Sequence, residues 1–311
     1  MVKLKRRSLI LAKIESTYGT DPTPTGSANA ILAMDPNIKE TFEAVERPQL
    51  ASMSIKPSLG AKRFAEITFK TELIGSGTAG TAPRLGALLK ACAFAETVSV
   101  GSSVTYNPVS SPTSSITVYL YLDGMLHKLT GAVGTVKLSL EAGKTGVLDF
   151  SFKGIYNAPT DTTLATPTFE TTVDSVPIVK SSSLTYNANS SLYVNKADMD
   201  IANTIALRPS VNATNAVAGF QVTSRKPNIS IDPEVESIAT IDWRTDLLST
   251  PRAFSMVVGA TAGNIITFSI PKMNVVDIQY GDRDGILTNT IKAEMTANTA
   301  TGDDELSIKF T

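Results

Sequence analysis

The chain has 311 residues, 42% of them hydrophobic and 18% charged, with a formal net charge of −1. That length and composition suit two ordinary cores and exclude a disordered tail, while the near-neutral balance excludes a surface of clustered lysine and arginine that grips nucleic acid. One cysteine, Cys92, in an apolar stretch excludes an intrachain disulfide and reads as a small buried thiol.

The N-terminus, MVKLKRRSLILAKI, joins a basic start to an apolar run too short for a secretion signal. No small-residue cleavage site follows, and nowhere do the roughly 18 consecutive apolar residues of a membrane span occur. The sequons at Asn189, Asn212 and Asn228 therefore lack a secretory context, and the chain is expected to fold in a cytoplasm, away from membranes. Residues 1–30 include Thr20-Asp21-Pro22-Thr23-Pro24-Thr25-Gly26, which favours extended or turned backbone, and are read as an arm that contacts another subunit. Lys3, Lys5, Arg6 and Arg7 on that arm are candidate partners for Asp303, Asp304 and Glu305 at the other end of the chain.

Strand patterns dominate from there, beginning with Ala65 to Leu73. Pro83 suits a first helical position, and Leu85, Leu88, Leu89 and Cys92 then fall on one helical face. Ile116 to Leu122 and Leu126 to Thr130 flank Asp123-Gly124, a strong hairpin turn. Val136 to Tyr156 reads as an alternating strand, a turn and a second alternating strand. Asn157 to Thr168, with two prolines and no apolar period, is the predicted linker.

The second half repeats this plan. Val276 to Met295 returns as a hairpin with one residue fewer in the turn, so that Gly285 matches Gly146. Upstream, Arg208-Pro209 precedes Ile229-Ser230-Ile231 as Arg47-Pro48 precedes Ile67-Thr68-Phe69. Gly263-Asn264 stands where Asp123-Gly124 stood, just before the strand Ile265 to Ile270. A weaker helix is predicted from Ile238, Ile241, Thr245 and Leu248, with Ser237 as N-cap and Pro251 beyond its end. The excess length of the first half falls in Gly75 to Ala82 and Glu96 to Ser115, both read as surface loops. The predicted fold is mainly β: two duplicated β-sandwich or barrel domains, residues 31–160 and 161–311, each with a flanking helix and one shared topology.

Catalytic chemistry finds no foothold in these residues. Gly75-Ser76-Gly77-Thr78-Ala79-Gly80 lacks the Gly-Lys-Ser/Thr ending of a phosphate loop. Asp282-Arg283-Asp284-Gly285 lacks the later ligands and terminal glutamate of a calcium loop, and a hairpin turn accounts for it. His127 is the sole histidine, which argues against zinc and Cys-His sites. No catalytic residue, metal or cofactor is assigned, and repeated units more often build assemblies than catalytic centres.

AKIESTYGTDPTPTGSANAI near the N-terminus, GSGTAGTAPRLGALLKACAFAETVSVGSSVTYNPVSS, DGMLHKLTGA and the late YGDRDGI resemble, in that order, the major tail tube protein of long-tailed, non-contractile bacteriophages and related prophages. The resemblance covers nearly the whole chain. It implies a virion tail protein made of β-sandwich or barrel units, each with a flanking helix. It also implies stacked rings around a channel that DNA passes through without specific binding, with the tape measure, terminator and tail tip as further partners. Rings of six single tube domains imply, for a two-domain chain, a homotrimer of approximate six-fold symmetry.

Polar positions of the predicted strands form a candidate lumen set: Lys70, Glu72, Lys137, Glu141, Asp149, Lys153, Asp232, Glu234, Asp277, Lys292 and Glu294. Acids outnumber bases there, so such a wall would repel phosphates rather than hold them. A two-domain adhesion or binding module of the tail tip or virion surface is the alternative reading, separated from the first by whether the protein polymerises.

Overall fold

The computed structural model describes residues 3–48, 53–112, 114–170 and 175–311. The first half runs β1 (Ser8–Ile14), α1 (Gly26–Asn29), β2 (Ala30–Ile31), β3 (Met34–Val45), β4 (Leu59–Glu72) and α2 (Leu85–Ala91). It continues through β5 (Phe94–Ser99), β6 (Ser103–Pro108), β7 (Ile116–Leu122), β8 (Met125–Glu141) and β9 (Val147–Asp161). The second half runs β10 (Ser183–Tyr186), β11 (Val194–Asp200), β12 (Asn203–Pro209), β13 (Val217–Arg225), β14 (Asn228–Pro233) and α3 (Trp243–Asp246). It ends with β15 (Arg252–Val258), β16 (Ile266–Arg283), β17 (Ile286–Met295) and β18 (Ser307–Phe310). The protein is mainly β, its sheets are antiparallel, and among the described residues none closes on itself.

Eight strands form a continuous run in the order β3-β4-β9-β8-β11-β14-β17-β16. Within it, β3-β4-β9-β8 has the same order and direction as β11-β14-β17-β16, and the seam between the two sets is β8 against β11. A second layer repeats as well. β1 pairs β7 and β7 pairs β8, as β10 pairs β15 and β15 pairs β16. Irregularities recur at matching steps: the β7-β8 register shifts between Ile116 and Val118, and the β15-β16 register between Arg252 and Phe254. The β3-β4 register shifts between Met34 and Asn37, and the β11-β14 register between Val194 and Ala197.

Local chemistry explains where the two sets diverge. The β3-β4 hairpin is continuous, whereas in the second set the same excursion breaks into β11 then β12 and β13 then β14, with β12-β13 forming a separate ribbon. Asp200 Oδ1 accepts the Ala202 N–H at 2.8 Å while Ala202 takes a φ of 50°, which turns the chain out of the ladder. Pro227 on the return strand has no N–H to donate there. Similarly, β9 runs unbroken beside β8, while its place beside β16 is shared by β17 and β18. The Arg-Pro pairs fit this scheme, since Arg208-Pro209 is displaced from Arg47-Pro48 by the same number of residues as Met199 from Ile38.

One face of the eight-strand run is the core. Ile67, Phe69, Phe150, Phe152, Val136, Met199, Ile229, Ile231 and Ile291 are buried there, and α2 packs Leu85, Leu88 and Leu89 into the same cluster. Phe150 stacks on Phe152, with ring centroids 5.6 Å apart. Burying each such side chain contributes about 1.5 to 3 kcal/mol, so this face carries the stability of the sheet.

The predicted hairpin turns are present, with Asp123 and Gly124 at φ 46° and 85° and Asp284 and Gly285 at 53° and 85°, the all-positive geometry of a two-residue turn. Other expectations are corrected. The turns of the repeated hairpins differ by more than one residue, because Ser139 faces Val147 in one while Arg283 faces Ile286 in the other. Residues 1–30 are not simply an arm: β1 is a core strand with Ile10 and Leu11 fully buried. Its apolar residues face both layers, which hid its alternation. The predicted linker begins as the end of β9, and Leu164 and Ala165 then pack on Leu9, Leu11 and Tyr121. Glu96 to Ser115 contains β5 and β6 rather than a loop, and β6 pairs β18 of the second half. The second helix is a single turn, capped by Asp242 rather than Ser237, with Ile238 71% exposed. Asp242 wins because its carboxylate accepts the Arg244 and Thr245 N–H groups at 3.0 and 3.2 Å.

Candidate functional site

The face of the eight-strand run opposite the core is polar. Residues directly opposed on neighbouring strands project to the same face, so the register reads out its rows. One row is Lys70, Asp149, Lys137, Asp200, Asn228, Glu294 and Asn274. The next is Glu72, Val147, Ser139, Asp198, Ser230, Lys292 and Asp277. Lys153 stands opposite Glu66, Glu141 opposite Lys196, and Asp232 and Glu234 continue the Ser230 side of β14. All eleven residues of the candidate set thus share one continuous face.

Most of the charges on this face are organised as pairs. Lys70 lies 3.9 Å from Asp149, Lys137 3.1 Å from Asp200, and Lys292 3.1 Å from Asp277. Arg283 bridges Asp232 at 3.3 Å and Glu234 at 2.6 Å, and Lys226 reaches Glu294 at 3.1 Å. Lys196 donates to Asp198 at 2.6 Å, and that hydrogen bond holds its ammonium above the ordinary lysine value. Lys144 pairs with Glu141 at 2.7 Å. Paired charges on an exposed sheet contribute about 0 to 1 kcal/mol each, so they matter less for stability than for the smooth, hydrated surface they make.

Sequence reasoning missed several members of the face: Glu66, Lys196, Asp198, Asp200 and Arg283. The alternation of Lys196, Asp198 and Asp200 with Ala197 and Met199 in VNKADMD carried the signal. With these residues added, acids still outnumber bases on the face.

The candidate contacts between rings are placed less simply. Arg7 pairs with Asp123 at 2.9 Å and Lys3 with Asp161 at 3.8 Å, while Lys5 and Arg6 are exposed. Asp303 and Glu305 both bind Arg225 within the chain, and Asp304 accepts the Asn298 and Thr299 N–H groups at 2.8 and 2.9 Å. Those three acids are engaged internally, and Lys3 and Arg7 pair with other acids instead.

The remaining chemistry-bearing residues are structural in their surroundings. Cys92 is fully buried, which pushes its thiol well up and keeps it protonated. His127 is 7% exposed, with Nδ1 3.3 Å from Glu40. Among the described residues no group of three or more His, Cys, Asp or Glu is placed to hold a metal.

A family model described as phage tail tube protein matches residues 5–311, nearly the whole chain. The chain belongs to the phage tail tube protein family. Its role is accordingly that of a structural component of the virion tail, and the resemblance read from its sequence segments agrees with the family match. No curated protein matches the chain. Among the described residues of this tail tube protein, no helix is long and apolar enough to cross a membrane.

Proposed function

We propose that three copies of this chain close a ring, that the polar face of the eight-strand run lines its channel, and that rings stack into a tube conducting DNA. The observation that carries this reading is the repeated strand order, two sets of four continuous strands with one polar and one buried face. Three such runs supply about 24 strands, and at about 4.8 Å spacing and a tilt near 40° these close at a backbone diameter of about 45 to 50 Å. A double helix fits inside once side chains are added.

Each chain on this reading contributes two tube domains of common descent, residues 31–160 together with the core strand β1 and residues 161–311, so the ring has approximate six-fold symmetry. DNA passes without specific binding, because a net acidic wall whose charges are mostly paired repels phosphates. Leu164, Ala165 and Phe169, which follow β9, pack on the outer layer with Leu9 and Tyr121, away from the channel.

Stacking between rings is assigned to the two ends of the strands. Lys3, Lys5, Arg6 and Arg7 lie at the end that also carries the β3-β4 hairpin tip, where Met53, Ile55 and Leu59 are exposed. The opposite end carries the β8-β9 and β16-β17 turns with Glu141, Asp282 and Asp284. Head-to-tail stacking brings the basic end against this acidic end, in place of Asp303, Asp304 and Glu305. Tape measure, terminator and tail-tip proteins are the further partners, and assembly takes place in the bacterial cytoplasm.

Negative-stain microscopy of the purified protein at rising concentration tests the reading. Rings and hollow tubes are expected. A protein that stays monomeric at every concentration overturns it.

A further inference from the structure

The eight-strand run has two unequal ends. Among the described residues β3 pairs only with β4, so its outer edge is open, and the outer edge of β16 is open beyond the Leu248 N–H to Val275 C=O bond of 2.9 Å. Exposed edges with unpaired N–H and C=O groups are sites of strand addition. Within the chain, the counterpart of this missing contact is the seam between β8 and β11, where Lys137 faces Asp200, Leu138 faces Met199 and Leu140 faces Ala197.

The matching registers allow that seam to be carried over residue by residue. On the β11 side, Met199 faces Ile229 as Ile38 faces Ile67, so Ile38 stands for Met199, Lys39 for Asp200 and Asn37 for Asp198. The β8 side is set by the outer layer. Leu129 faces Val118 and Ala132 faces Ile116 across one register shift, as Ile270 faces Phe254 and Met273 faces Arg252 across another. Gly134 therefore corresponds to Val275. Val276 is an extra residue in β16, where the register shifts between Val275 and Asp277. Beyond it, Ile278 stands for Val136, Gln279 for Lys137 and Tyr280 for Leu138.

Resting on the ring reading above, we propose that β3 of one chain pairs antiparallel with β16 of a second copy in one register: Ile38 opposite Tyr280, and Lys39 opposite Gln279. One observation fits this occupant. Tyr280 is 61% exposed, although the position it matches, Leu138, is buried under Met199 in the intrachain seam. Ile38 from the neighbour covers it. Pro36, the counterpart of Ala197, lies opposite Asp282 in this register, and having no N–H it leaves the ladder one hydrogen bond short there.

The interchain seam also differs from the intrachain one in charge. Lys137 and Asp200 pair across the first at 3.1 Å, whereas Gln279 and Lys39 across the second place one positive charge beside a neutral amide. The ring therefore closes without a direct ion pair at that row, and salt affects closure less than it affects stacking.

Cysteine crosslinking tests the register, because opposed residues on antiparallel strands bring Cα atoms about 4.5 to 5.5 Å apart, within disulfide reach. The native Cys92 is buried and stays out of the reaction. Tubes of Lys39→Cys/Gln279→Cys, assembled under reduction and then oxidised, are expected to give dimers and trimers on a denaturing gel and no larger species. Tubes of Lys39→Cys/Arg283→Cys, with the thiols about four residues out of step, are expected to stay monomeric. Should the double variant not assemble, each single-cysteine chain is doped into wild-type tubes together with the other, and dimers are expected. Assembled tubes carrying the introduced cysteines that give no crosslink at 39–279, or efficient crosslinking at 39–283, overturn the register and leave the tube reading standing. Failure of the wild-type protein itself to assemble overturns the tube reading instead.

Discussion

Lys137 on β8 and Asp200 on β11 lie 3.1 Å apart across the seam that joins the two halves of the chain. Beneath them Leu138 and Met199 are opposed on the buried face, at 6% and 3% exposure. Burial rather than charge holds the halves together, because the lysine side chain is 65% exposed and its attraction is screened. Urea unfolding is expected to show a loss of at most about 1 kcal/mol for Lys137→Ala or Asp200→Ala. Met199→Ala is expected to cost about 2 to 5 kcal/mol. Equal losses for the two classes of variant would place the ion pair at the heart of the seam.

Glu15 is the most heavily used buried acid of the first half. It is 8% exposed and accepts from the Gly19 and Gly131 N–H groups at 2.8 and 2.7 Å and from the Ser115 and Thr117 hydroxyls at 2.6 Å each. Glu15→Ala strands these donors, each costing about 1 to 3 kcal/mol when left unpaired and dry. The variant is expected to lose most of the stability of the first half and to be recovered largely insoluble. A soluble Glu15→Ala protein with an unshifted melting temperature would contradict this network.

Acid stability follows from Asp303. Burial alone would raise its carboxyl, but hydrogen bonds from the Ser110 hydroxyl and N–H and from Arg225 outweigh burial and hold it below its ordinary 3.8. A folded value lower than the unfolded one contributes stability above the ordinary value, and that contribution disappears as pH falls through the folded value. Asp303→Asn is therefore expected to flatten the fall in stability below pH about 4. It should also lower stability at pH 7. An unchanged slope in stability-versus-pH curves would remove this aspartate from the acid response.

The polar face proposed to line the channel has a test of its own. Glu72→Lys, Asp149→Lys and Asp198→Lys together turn a net acidic face basic without touching the buried side. Tubes of this triple variant are expected to form and to retain duplex DNA at low salt, with release as salt rises, whereas wild-type tubes retain none. Co-sedimentation of tubes with short duplexes measures this. Equal retention by both proteins would mean that the charged face lies elsewhere than the channel.

Much of this was legible in the residues themselves. Alternation in the strands put all eleven candidate wall residues on one face, because a period of two leaves only one choice once the apolar side is known. Asp123-Gly124 specified its hairpin, since both positions take positive φ. β1 was not legible, because Ile10 and Leu11 are both buried and the strand carries no alternation to read. The departure of β12 from the wall depends on the Asp200 side chain seizing the Ala202 N–H, a local competition that apolar patterning does not register. The engagement of Asp303 and Glu305 by Arg225 was hidden for a different reason, since it joins residues far apart in sequence.

The central claim is that the eight-strand run is one third of a closed wall, and a cryo-electron microscopy map of assembled tubes tests it most directly. The account predicts three chains per ring, about 24 strands around the channel, and Lys70, Asp149 and Asp200 facing inward. Six chains per ring, or a wall in which Phe150 and Ile231 face the channel, would contradict it.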